Sequence, residues 1–262
     1  MDDRSDVEWR VLNLRLSVFL PQTRDVGVED WRLVTGSDSP ETQIQQFGMK
    51  QLSGSALGAQ LIVASLPGRI DIILMQKPQV SGSPSEFPTG ADAPIFVGEF
   101  FQALAAFREA TSHWLANVSF DVLRVAFGAT LLSPCKDRAE SYARLGSLLR
   151  SVNVVPQSMR DLTFVVNWPT PSRVLSETSL NRITKWANVE IRGRLEAQAS
   201  PSSPNLAVDT IIVQGPQLEL DLSTPAPLQT AAPLSRAKLA PIYEELLELA
   251  AENARAGEIP CP

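Results

Sequence analysis

The chain has 262 residues, of which 44% are hydrophobic and 20% charged, and a formal net charge of −6. That length can bury a sizeable core without disulfides or a structural metal, and the composition is not that of a disordered chain. The acidic balance and the lack of a basic stripe argue against nucleic-acid binding. The two cysteines, Cys135 and Cys261, make no disulfide framework.

Met1-Asp2-Asp3-Arg4-Ser5-Asp6 lacks the apolar stretch of a signal peptide, and no apolar run nears the roughly 18 residues that span a bilayer. A soluble, cytoplasmic protein is the expectation. From residue 11, Leu12, Leu14, Leu16, Val18 and Leu20 alternate with Asn13, Arg15 and Ser17. Period two predicts a strand with one buried face, as in antiparallel sheets. Trp31–Val34, stopped at Gly36, reads as a short strand or a turn of helix, and Gln43–Lys50 as a strand. Gly54-Ser55-Ala56-Leu57-Gly58 reads as a hairpin or bulge loop. Ala59–Leu66 and Arg69–Gln76 flank Pro67-Gly68, which predicts a hairpin on a type II turn.

Residues 78–94 are rich in Pro, Ser and Gly and read as a loop. Val97, Phe100, Phe101, Leu104, Phe107 and Thr111 recur at helical spacing, with Glu99 in the first turn to suit the dipole. Leu123, Val125, Phe127, Ala129 and Leu131 predict a strand within 119–132. Tyr142, Leu145, Leu148 and Leu149 predict a helix over 137–150. Asp161–Trp168 reads as a strand ended by Pro169 and Pro171, and 183–198 as a long strand. Val208–Gln214 and Leu218–Leu222 read as one strand past a Gly215-Pro216 irregularity, or as two. A last helix spans about Arg236–Ala254, with Gly257 as its stop.

The element order suggests two halves, 1–116 and 117–262, packed as one compact unit. The fold class expected is α+β: antiparallel sheets of half-buried strands packed by long amphipathic helices, with a pseudo-twofold duplication of a strand–helix–strands–helix unit. Ile70-Asp71 through Gln76-Lys77-Pro78 resembles Val208-Asp209 through Gln214-Gly215-Pro216, which supports that order.

Chemistry is scarce. His113, the one histidine, lies late in a helix beside Trp114 and reads as structural. Ser-His-Asp and Cys-His mechanisms would have to use it. No P-loop or G-x-S-x-G elbow occurs, so no catalytic residue, metal site or cofactor is assigned. Asp71, Asp209, Glu190 and Glu196 lie on strands, where folding could bring carboxylates together. Glu190, Arg192, Arg194 and Glu196 share one strand face. Arg192 and Arg194 are binding candidates because two guanidinium groups in line can hold a carboxylate or phosphate. Trp168, ahead of Pro169, is a candidate interface anchor.

The function expected is a non-enzymatic interaction protein: an adaptor, scaffold or chaperone-like subunit that self-associates or holds a protein partner. Two rivals stand beside it. One is a small-molecule binding module with an apolar cavity between helix and curved sheet; the other is a carboxylate-dependent metal enzyme.

Overall fold

The structure is a computed structural model that describes residues 7–77, 90–93, 95–197, 206–226 and 232–258. In chain order the strands are β1 (Arg10–Phe19), β2 (Thr42–Gln46), β3 (Met49–Ala56), β4 (Ala59–Leu66), β5 (Arg69–Met75), β6 (Gly98–Glu99), β7 (Arg124–Leu132), β8 (Thr163–Asn167), β9 (Thr170–Pro171), β10 (Ser179–Ala197) and β11 (Leu206–Ser223). The helices are α1 (Val28–Thr35), α2 (Phe100–Asn117), α3 (Arg138–Leu148) and α4 (Arg236–Ala256). The protein is α+β, built on one 11-stranded sheet whose described pairings are all antiparallel. Its main path runs β2-β3-β4-β5-β1-β7-β11-β10-β8. No described helix is long and apolar enough to cross a membrane.

The strand order reads alike outward from the centre. β1 is followed by β5, β4 and β3; β7 is followed by β11, β10 and β8. The two resembling segments do not sit at matching places, however. Ile70–Met75 lies beside the central β1, whereas the β11 residues beside β7 are Gln217–Ser223. Val208–Val213 lies on β11 beyond the stretch that pairs with β7, and pairs with β10. Two half-buried strands share apolar runs whatever their origin, which accounts for the resemblance.

Period two holds in β1 from residue 13 to residue 18. Leu14, Leu16 and Val18 are buried against the helices, opposite Ala129, Phe127 and Val125 of β7. Leu12 departs from the expected face. The register shifts between Val11 and Asn13, so Val11 enters the main core. Leu12 packs instead with Phe96, Leu132 and Val213 in a second cluster. A bulge inserts one residue and reverses the facing of what precedes it.

The remaining differences and choices are local: of the alternatives open for the Trp31 segment and for Val208–Leu222, helix (α1) and one continuous strand (β11) hold. The strand expected over Gln43–Lys50 is a hairpin, because Phe47 and Gly48 turn the chain with φ of 45° and 76°. β3 continues to Ala56, and the next turn is Leu57-Gly58, not the whole glycine-bearing stretch. β11 runs through Gly215-Pro216 without a break; its register shift lies opposite Ile191/Arg192. The Pro67-Gly68 hairpin forms as expected between β4 and β5. Of the loop read over 78–94, residues 78–89 and 94 lie outside the described residues; Gly90–Asp92 forms a 3-10 turn.

The helices pack on one face. Glu99 caps α2 by accepting from the Gln102 amide at 3.0 Å, and Asp137 caps α3 by accepting from that of Glu140 at 2.9 Å. Trp9, Trp114, Trp186, Phe107 and Tyr243 fill the layer between helices and sheet. Buried carboxylates tie the irregular parts to it. Asp30 accepts from the Gly27 amide (2.9 Å), Arg24 (3.0 Å) and the Trp114 indole (3.1 Å), which joins α1 to α2. Glu245 of α4 accepts from Ser172 (2.8 Å) and the Arg173 amide (2.7 Å). Glu258 accepts from the amides of Arg150 and Ser151, both at 2.9 Å.

Where β7 ends, the chain passes very close to β11. A Cβ at Gly215 would lie 1.9 Å from the Ser133 carbonyl oxygen, so only glycine lets the two backbones approach. Gly215→Ala is expected to cost about 1–3 kcal/mol of stability, read from urea unfolding midpoints. An unchanged midpoint would contradict this packing.

Candidate functional site

The face opposite the helices carries the alternate residues of each strand. At one end, register sets Phe19 between Arg69 and Arg124, whose guanidinium carbons lie 5.9 and 4.9 Å from the ring centre. Next to them Asp71 is buried; it accepts from the Ser17 hydroxyl at 2.6 Å and pairs with Arg69 at 2.9 Å. Arg124 donates to the Ser223 hydroxyl at 2.8 Å and the Thr224 carbonyl at 3.1 Å. Each charged group at this end has an ionic or hydrogen-bonded partner, although Arg69 Nε itself is buried with no acceptor among the described residues.

The middle differs. Arg15, Gly128, Asp221 and Ile183 stand opposite one another on β1, β7, β11 and β10. The adjacent row is Asn13, Thr130, Glu219, Lys185 and Val165. Together they line a hollow of about 420 Å³, within the size range of small-ligand sites. The Arg15 guanidinium lies over Gly128: a Cβ there would come 3.3 Å from its Nη2. Arg15 Nε, like Arg69 Nε, is buried with no hydrogen-bond acceptor among the described residues; unlike Arg69, Arg15 has no ion pair there either. Glu219 is occupied, by Lys185 at 2.8 Å and Gln217 at 2.9 Å. No ion pair of Arg15 or of Asp221 occurs among the described residues.

The sheet ends in two uncharged strands. β2, Thr-Gln-Ile-Gln-Gln, is exposed at every residue, and β8, Thr-Phe-Val-Val-Asn, exposes Val165. Natural edges are commonly blunted with lysine, proline or a bulge; neither strand carries a lysine or proline. At the tip of the β2–β3 hairpin, Phe47 is fully exposed with φ of 45°. Positive φ at both central residues is type I′ geometry, which favours Asn-Gly; a bulky aromatic there is strained by about 1 kcal/mol.

Arg192 is exposed and pairs with Glu190 at 2.8 Å. Arg194 lies in β10 opposite Asp209, and its side chain is outside the described residues. Trp168 follows β8, half-buried, with a buried indole N–H that has no acceptor among the described residues. Neither Arg192 nor Trp168 is among the described residues that line the hollow. His113 is exposed on α2. Asp71 and Asp209 lie on strands separated by β1 and β7, and no group of three His, Cys, Asp or Glu converges among the described residues. Cys261 is outside the described residues.

Sequence reasoning missed Arg15, Gly128, Asp221 and Phe47. Alternation put Arg15 and Asp221 on polar faces, but pairing across β7 brings them together. Phe-Gly is not a recognised turn dipeptide, so Phe47 passed as a strand residue. No family model, curated protein or solved structure matches the chain.

Cys135 is half-buried, and that burial pushes its thiol up to about 11. At pH 8 about one in a thousand of its molecules is thiolate, too few for a nucleophile at neutral pH. In a Cys261→Ser background, iodoacetamide at pH 8 is expected to modify Cys135 far more slowly than free cysteine, with the rate rising up to about pH 11. Labelling as fast as free cysteine would refute this.

Proposed function

We propose that the chain is a non-enzymatic interaction protein, an adaptor, scaffold or chaperone-like subunit, which engages a protein partner or a second copy through its sheet edges. The observation that carries this reading is Phe47. An aromatic side chain held fully exposed in a strained turn beside an uncharged edge strand costs stability and solubility unless something covers it. β2 offers a partner free backbone groups along its outer side, and Ile44 and Phe47 supply apolar contact. At the other edge Trp168 remains a contact candidate, and Arg192 and Arg194 of β10 remain candidates in their own right. The matching strand order supports reading 1–116 and 117–262 as a duplicated unit. A cytoplasmic location goes with this proposal.

Light scattering and pull-down with the full chain test it. The wild type is expected to self-associate or to retain a partner. Ile44→Lys and Phe47→Asn are each expected to weaken that association at least about tenfold. Phe47→Asn should also stabilise the fold by roughly 0.5–1 kcal/mol, because asparagine tolerates positive φ. A strict monomer that retains nothing, or association unchanged in both variants, would sink the proposal.

A second reading, a small-molecule binding module, is favoured by the hollow over Gly128. It lies on the helix-free face of the sheet, not between helix and sheet.

A further inference from the structure

The hollow over Gly128 holds two opposite charges without an ionic partner among the described residues. Lys185 and Glu219 neutralise each other at 2.8 Å. Arg15 and Asp221 do not: they flank Gly128 in one row, yet make no ion pair with each other or with another described residue. The Arg15 side chain reaches from β1 to lie over Gly128 of β7, one strand spacing, roughly 5 Å, from the strand that bears Asp221. A buried guanidinium nitrogen without an acceptor is costly, and Arg15 Nε is one.

We propose that this hollow binds a small zwitterion, a free α-amino acid or a dipeptide with an aliphatic side chain. This rests on the second reading above and is independent of the sheet edges. The ligand's carboxylate takes the Arg15 guanidinium, and its ammonium group takes Asp221. Ile183 and Val165 form an apolar wall for the aliphatic body, and Asn13 and Thr130 supply hydrogen bonds. Lining charges choose this class. A dicarboxylate or phosphate would set extra negative charge against Asp221 and Glu219, and a simple amine would face Arg15. Gly128 matters because a Cβ there would already lie 3.3 Å from Arg15 Nη2, so a bulky side chain would push the guanidinium off the floor.

Calorimetry and thermal unfolding of the full chain test this with leucine, valine and glycyl-leucine as probes. Leucinamide lacks the carboxylate and 4-methylpentanoate lacks the ammonium; succinate and inorganic phosphate are anionic controls. At least one zwitterion is expected to bind saturably and to raise the Tm by roughly 3 °C or more, with leucinamide and 4-methylpentanoate at least about tenfold weaker. Arg15→Gln and Asp221→Asn should each weaken binding about tenfold or more, and Gly128→Val should block it. Circular dichroism identifies any variant that fails to fold, and Arg15→Lys, which keeps the charge and loses the planar fork, then replaces Arg15→Gln. Equal binding of leucinamide or 4-methylpentanoate overturns the proposal, as does unchanged binding in a folded Arg15 variant. Binding of succinate or phosphate alone overturns the zwitterion and leaves the module reading standing. Silence from every probe overturns the zwitterion and weakens that reading with it.

Discussion

The antiparallel ladder between β1 and β7 is the constraint from which the other features follow. It sets Leu14 opposite Ala129, Leu16 opposite Phe127 and Val18 opposite Val125, all buried. A slip of one residue would turn that apolar set away from the helices and bring Arg15 into the core. Because the parity is fixed at the centre, it is fixed in β5 and β11 beside it. That is why the helices share one face while Arg15, Gly128 and Asp221 share the other. The bulge at Leu12 ends the parity and seeds the small second cluster.

Buried charge divides into two kinds. Asp30, Glu245 and Glu258 each accept from several donors and are surrounded by groups of their own chain. A carboxylate satisfied in that way contributes order: it fixes a helix start, a loop or the chain end against the core. Asp71 belongs with them, held by Ser17 and Arg69. Arg15, half-buried, is of the other kind, lying on a glycine floor with an Nε that has no acceptor and a charge that has no ion pair among the described residues. What separates the two is the set of partners each group has, which neither residue type nor burial alone discloses.

Much of the architecture was legible in sequence. Period-two alternation located β1, β7 and β10, helical spacing located α2, α3 and α4, and Pro67-Gly68 gave the β4–β5 turn. These signals are local, and local sterics write them into a few adjacent residues. The misses have a common cause. Leu12 depends on a bulge against a strand more than 100 residues away, and the Ile70 and Val208 segments seemed equivalent until pairing set only the former beside a central strand. The Phe47 turn was hidden for another reason: the residue fits its backbone poorly, so propensity pointed elsewhere. Of the candidate site, the sequence offered polar strand faces; the neighbours that make one of them a hollow are set by pairing between distant segments.

The central ladder also shapes the route to this structure. The hairpins β2–β3, β3–β4 and β4–β5 close over two-residue turns and form on microsecond scales. β1 and β7 meet across about 110 residues of chain, a closure whose entropy is paid before any contact rewards it. Folding that starts from the local hairpins leaves β1 or β7 unpaired on one side until late, with apolar side chains along the exposed strand. The strands at the middle of the finished sheet are therefore edges of the partly folded one, so a newly made chain is most prone to aggregate through its most protected part.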